Sequence, residues 1–284
     1  MRKAIDWLRG KLDQSYEEKA RSLFKDPWAA RNDYIKVILD RSGENIDRVL
    51  GHNALRDLIA TDKITALKLL ELQRHAMLMY TSCGWFFDEL SGIETVQVIQ
   101  YAARAIQLHE ELFRDVLESQ FLERLEHAKS NIPEYRDGRM IYNKFVKPAM
   151  VDLKKVAAHY AIRSVFEPYA EHAQIYCYTV DQEDFLTPEA GKMRMALGRA
   201  KFTSKITRES AILTFGVLHF FDHNLSGGVH EFQGKESYST LIKDVSEAFS
   251  RADIPEIIRT LERFFGGDTF LLKSLFRDEQ RKRS

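Results

Sequence analysis

The pattern of this chain predicts an α+β protein: an N-terminal helical bundle, then an antiparallel β-rich part closed by C-terminal helices. Two observations predict it. Up to about residue 170 the apolar residues recur at helical spacing, and near residue 171 the texture shifts to β-branched and aromatic runs separated by polar breaks. The division expected from this shift is 1–170 and 171–284.

The first helix begins at once, with Ile5, Leu8 and Leu12 on one face. Asp26-Pro27-Trp28 has the form of an N-cap followed by proline in the first turn, with Trp28, Ile35, Ile38 and Leu39 as the expected buried face. Residues 62–79, opened by Asp62, are apolar almost all round and predict a helix running through the interior. After a break at Thr81–Trp85, Ser91 and Glu94 have capping-box spacing. Between Gly92 and Pro133 there is neither glycine nor proline, and the apolar series from Ile93 to Leu125 predicts one helix of about 50 Å at 1.5 Å per residue. A polar turn at 131–138 leads to a helix over 139–170, where Pro148 marks either a kink or the true start.

In the later part, Ile175–Val180, Met193–Thr203 and Ala211–Phe221 read as strands, and Asn224–Gly228 reads as a turn. Helices are expected at 238–251 and 254–265. The second has Asp253 as cap and Gly266-Gly267 as stop. The residues from Leu275 to Ser284 look like an amphipathic helix cut off in its stride, as in a piece of a longer protein.

Composition narrows the function classes. The 284 residues are 44% hydrophobic and carry 42 Lys+Arg against 42 Asp+Glu, enough for a sizeable core but without the net positive charge of a nucleic-acid or acidic-membrane binder. Two cysteines, Cys83 and Cys177, are too few for a disulfide framework and fit a reducing, cytoplasmic setting. The longest strongly apolar run, Ile212–Phe221, is half of the ~20 residues that a membrane helix needs. The motifs GxxxxGK[ST], HExxH, GxSxG and paired CxxC are absent from the sequence, and no GxGxxG follows a strand, so neither a nucleotide nor a metal cofactor is expected.

The densest candidate site is Tyr80–Glu89, a break between two rigid helices. Trp85 has the flat apolar face to stack on a sugar, and Asp88 and Glu89 the oxygens to accept from hydroxyls. Equally, Trp85, Phe86 and Phe87 would plug the bundle while the acids complement the next helix's positive end. Adjacent carboxylates point to different sides and make a poor general acid/base pair. Trp28 and Arg31, with Asn32 and Asp33, either line a pocket mouth or pack a helix. His219, Asp222, His223 and His230 have metal-ligating chemistry; on one strand positions 219 and 223 lie ~13 Å apart, too far for one zinc, whereas a strand ending near Phe221 relaxes that objection, and structural hydrogen bonding at a strand end is the favoured expectation. Cys83 has no histidine at a diagnostic spacing and reads as an ordinary thiol.

Several segments together resemble one family: Asp26–Ile35, Gln73–Glu89, Ser91–Gln97, Asp222–Gly228 and Leu275–Arg281. They are similar to the C-terminal uncharacterised domain of proteins related to glycoside hydrolase family 57, α-amylase- or α-mannosidase-like enzymes. The resemblance runs along nearly the whole chain, and Tyr80–Gln97 is its most specific part. It implies an incomplete (β/α) barrel carrying a glutamate nucleophile and an aspartate acid/base, and a helical region that closes the cleft. The barrel motifs are not in this sequence, so no catalytic residue is expected here. The implied partners are the N-terminal catalytic barrel of the same polypeptide and an oligosaccharide, with Trp85, Asp88, Glu89, Trp28 and Arg31 as substrate-binding candidates. A module that docks a barrel or partner subunit without touching sugar is the other expectation.

Overall fold

The structure is a computed structural model that describes residues 1–221, 224–266 and 269–270. It is α+β, as the sequence pattern predicts. The chain groups into two units: Met1–Met150 with Ile206–Arg208, and Val151–Lys205 with the described residues from Glu209 onward.

In the first unit, α1 (Arg2–Ala20) turns Ile5, Leu8, Leu12 and Tyr16 into the core. Each such side chain stabilises the fold by roughly 1.5–3 kcal/mol. Helix α2 (Pro27–Asp33) starts where expected, with the Asp26 carboxylate accepting from the amides of Trp28 and Ala29. A turn at Tyr34 separates it from α3 (Ile35–Leu39), which shifts the inward face. Ala30, Tyr34 and Val37 are buried, Trp28 and Ile38 are half-buried, and Ile35 and Leu39 are exposed, contrary to the expected stripe. Helix α4 (Gly43–Asn53) is capped by the Ser42 hydroxyl.

Helix α5 (Ala60–Leu78) and helix α6 (Ile93–Phe113) pack along each other at the centre. Asp62 does not cap α5; it lies in the first turn and pairs with Arg56 at 2.6 Å. The predicted 50 Å helix is two elements. Helix α6 stops at Arg114, in the left-handed region at φ 59°, and α7 (Glu118–Leu125) begins after the Glu110 carboxylate collects the amides of Leu117 and Glu118. A side chain thus performs the stop usually left to glycine. Beyond the turn at 131–138, α8 (Gly138–Ile141) runs into a wide turn at Tyr142–Val146 and a short helical turn at Lys147–Ala149. Pro148 ends this stretch, and the helix restarts with Asp152 as cap.

That helix, α9 (Leu153–Ser164), packs on the sheet of the second unit, so the division falls near residue 150 rather than 170. The strands are β1 (His172–Ile175), β2 (Tyr178–Leu186), β3 (Glu189–Ala190), β4 (Met193–Ser204), β5 (Ser210–Phe220), β6 (Asn224–Glu231) and β7 (Thr269–Phe270). They form one antiparallel sheet in the order β1-β2-β4-β5-β6-β7, with β3 beside β4. The run Ile175–Val180 is not one strand, because a turn at Tyr176-Cys177 folds β1 back on β2. Asn224–Gly228 is strand rather than turn. A Cβ on Gly228 would lie 2.3 Å from Phe265 Cβ, so the glycine makes room for α11 (Ile254–Phe265) against the sheet. Helix α10 (Lys235–Ser250) begins three residues before the expected 238, and α11 opens on the predicted Asp253 cap. One sheet face packs on α9 through Ala196, Phe202, Phe215 and Val217, the other on α10 and α11 through Met195, Leu197 and Leu218. Gly267 and the expected helix beyond Leu275 lie outside the described residues. Among the described residues no helix is long and apolar enough to cross a membrane.

Candidate functional site

The Tyr80–Glu89 segment does interrupt two rigid helices, and its local chemistry holds it there. Helix α5 runs out at Met79, and a short helical turn, Ser82–Trp85, follows. Gly84 is buried against α6, where its carbonyl accepts from the Thr95 hydroxyl at 3.2 Å; a Cβ there would lie 2.2 Å from Val98 Cγ2. The Ser91–Glu94 capping box does not form, since Gly92 occupies the cap position without a side-chain bond.

The aromatic residues divide between inward and outward. Trp85 is half-buried, donates Nε1–H to the Met79 carbonyl at 3.1 Å and stacks on Tyr80 with centroids 6.3 Å apart. The Arg2 guanidinium lies 4.8 Å from the Tyr80 ring centre and 5.2 Å from that of Trp85, a cation–π contact to both. The Tyr80 hydroxyl donates to Asp6 at 2.6 Å. Burial, then this bond, push the phenol up to about 12, so it stays a donor throughout the physiological range. Phe86 and Phe87 point away, 83% and 55% exposed, in an edge-to-face pair. The Cys83 thiol is exposed beside them in sequence.

The two acids have different surroundings. Glu89 latches the loop: Oε1 accepts from the Ser91 amide and the Ser130 hydroxyl, and Oε2 from the Asn131 amide, each at 2.8 Å. Desolvation alone would raise its carboxyl, but these donors outweigh it and hold the group down at about 2. Asp88 is exposed; its backbone carbonyl accepts from Asn131 Nδ2 at 3.0 Å. Among the described residues nothing bonds its carboxylate.

Trp28 and Arg31 belong to a different place. The Trp28 ring rests on Tyr16 at 5.3 Å, with the Arg31 guanidinium 4.9 Å from its centre. Tyr16 stands 14 positions along α1 from Arg2, which touches Trp85. At 1.5 Å per residue the two tryptophans engage α1 about 21 Å apart. The structure therefore brings Trp85, Asp88 and Glu89 into one loop and leaves Trp28 and Arg31 outside it.

Among the described residues, the two histidines of the candidate metal set, His219 and His230, lie apart. His219 packs on Phe166, and His230 stacks on Phe264 with Phe265 tilted against it. In register Thr214 faces His230, which sets His219 five residues along β5 from that row, about 16 Å. Asp222 and His223 lie outside the described residues.

Two features escaped the sequence pattern. One is an open cavity of about 530 Å³ with Leu50, Ala54 and Leu58 among its lining and Lys25, Asp47 and Lys63 at its rim. Lys63 and Asp47 are paired there at 2.7 Å. The other is a buried charge cluster on α5. Glu71, 1% exposed, accepts from the Tyr34 hydroxyl, from Arg41 Nη2 at 2.8 Å and from Arg74 Nη1 at 3.2 Å. His75 Nδ1 sits 2.8 Å from the Glu71 carbonyl. The signal was a carboxylate in the run Leu69-Leu70-Glu71-Leu72, since a charge on a helix apolar all round must be buried and paired.

No curated protein and no solved structure matches the chain. One family does match, over residues 1–276, under the description domain of unknown function (DUF3536). By that match the chain belongs to the DUF3536 family.

Proposed function

We propose that this chain is the C-terminal accessory region of a glycoside hydrolase family 57-like carbohydrate-active enzyme of the cytoplasm. It contributes the Tyr80–Glu89 loop to the sugar cleft and leaves turnover to an N-terminal catalytic barrel. The observation that carries the reading is the division within the loop. Trp85 and Glu89 are engaged internally, while Phe86, Phe87 and Asp88 are presented outward on the scaffold they build. An apolar ring beside a carboxylate is the pairing that meets a sugar's C–H face and its hydroxyls, and a loop ordered beforehand loses little entropy on binding. The resemblance supplies the class of enzyme, α-glucan or α-mannoside.

The second reading, a docking module that touches no sugar, is favoured by the exposure of Phe86 and of Ile93, 83% and 80%, at the same loop and the helix start after it.

Calorimetric titration with malto- and manno-oligosaccharides separates the two. The cleft reading expects binding in the millimolar range, weakened at least tenfold in Phe87→Ala and in Asp88→Ala, with no hydrolysis by the chain itself. Absence of binding by the wild-type chain favours docking, and hydrolysis by it would sink the non-catalytic assignment.

A further inference from the structure

Four side chains on four neighbouring strands stand in one cross-strand row. Asp184 faces Arg199, Arg199 faces Thr214, and Thr214 faces His230. Residues paired in register share a face of the sheet. This one is the face beneath α10 and α11, because Gly216, two residues from Thr214, looks onto Leu261 and Phe265.

In the outer half of the row the Arg199 guanidinium lies over Phe232 at 4.7 Å and Tyr238 at 5.4 Å and forms an ion pair with Glu183 at 3.5 Å, although Arg199 Nε and the Tyr238 hydroxyl have no hydrogen-bond partner among the described residues. The inner half has no ion pair among the described residues. Thr214 is 1% exposed and His230 is 6% exposed, yet neither Thr214 Oγ1 nor His230 Nε2 has a hydrogen-bond partner among the described residues. Two buried polar atoms left unpaired on facing positions are costly, which points to a ligand between them.

The chemistry of the pair selects that ligand. His230 Nδ1 lies 2.6 Å from the Glu231 carbonyl, which only accepts, so Nδ1 carries the proton and Nε2 of the neutral ring is an acceptor. The Thr214 hydroxyl is free to donate. A molecule that both accepts and donates suits the pair, and among the described residues no group of three His, Cys, Asp or Glu side chains gathers to hold a metal ion. Glu183 and Asp184 already balance Arg199 on the same row, which weighs against an anion. Phe264, stacked on the imidazole at 4.6 Å, and Phe265, tilted to it at 5.2 Å, wall the pair with apolar rings.

We propose that Thr214 and His230 form a built site for an internal water molecule, held between β5, β6 and α11, that completes the polar row under the helices. The water takes the Thr214 proton and gives one of its own to His230 Nε2, the usual role of buried solvent in joining polar groups out of reach of each other. The site stands on the sheet geometry alone and is independent of the sugar reading.

The test pairs a variant with a structure. Thr214→Val keeps the side-chain shape and removes the donor, so the bridged site predicts a melting temperature a few degrees below wild type. An orphaned hydroxyl predicts the opposite sign, because deleting an unpaired buried polar group is neutral or stabilising. A crystal structure with ordered solvent should show a water within about 2.6–3.2 Å of both atoms. A dry site, or a Thr214→Val protein that melts at or above the wild-type temperature, overturns the proposal.

Discussion

Replacing Glu71 by alanine is expected to destabilise the protein by about 3–5 kcal/mol, the range for removing one partner of a buried charge cluster. The reason is what remains. Arg41 and Arg74 reach Glu71 from partly buried positions, their side chains 22% and 33% exposed against 2% for the glutamate. Without the carboxylate, two guanidinium groups and the Tyr34 hydroxyl lose their acceptor, and the segment carrying Arg41 loses its tie to α5. Tyr34→Phe is the control, since it removes one hydrogen bond and leaves the charges matched; about 1 kcal/mol is expected. Urea denaturation of the three proteins measures both. Equal losses in the two variants would mean that the charges contribute nothing beyond their hydrogen bonds.

The same cluster sets a pH dependence. Desolvation would raise the Glu71 carboxyl, but the Tyr34 and Arg41 bonds outweigh it and hold it below its ordinary value of 4.5. Burial lowers His75 below 6.5, and the bond to the Glu71 carbonyl only partly restores it. Both groups bind protons more readily unfolded than folded, so stability falls as the solution is acidified. The loss begins below about pH 6.5 through His75 and steepens below about 4.5 through Glu71.

Gly84→Ala is expected to disturb the loop itself. The added methyl would sit 2.2 Å from Val98 Cγ2 and 3.0 Å from the Glu94 carbonyl. Valine in a helix has one strongly preferred rotamer and cannot swing away, so the loop must lift from α6. Overpacking of this kind costs about 1–3 kcal/mol. Lifting also breaks the bond from Thr95 to the Gly84 carbonyl and moves the shelf bearing Phe86 and Phe87. Thermal unfolding should show the loss, whereas Phe86→Ala, at an exposed position, should melt within about a degree of wild type. A Gly84→Ala protein as stable as wild type would show that the loop is not packed on α6 as described.

The parts of this fold legible in the sequence are those whose cause is local. Asp26 and Asp253 cap their helices because a carboxylate before a proline-bearing first turn has amides to accept from wherever it occurs. Strands β4 and β5 carry their preference in their own side chains. What the pattern missed depends on residues distant in sequence or on a substitute for the usual signal. The end of α6 at Arg114 lacks glycine and proline because Glu110 caps the next helix instead. Gly227-Gly228 resembles a turn, but Phe265 from α11 is what demands the missing side chain. At the site, the break near Trp85 was visible, whereas the direction of each ring was not. Trp85 turns inward because α1 offers Arg2 to it and Asp6 to Tyr80, some eighty residues earlier. Glu89 spends its oxygens on Ser130 and Asn131, forty residues later.

On the proposed sugar-cleft function, the loop is ordered before binding and Phe86, Phe87 and Asp88 are the groups offered to sugar. Amide hydrogen exchange across residues 80–92 and at Asn131, with and without a malto-oligosaccharide, tests both halves at once. The prediction is slow exchange in the free chain at Gly84, Ser91 and the Asn131 amide held by Glu89, with added protection at 86–88 when sugar is present. Exchange at the rate of an unstructured peptide in the free chain, unchanged by sugar, would contradict it.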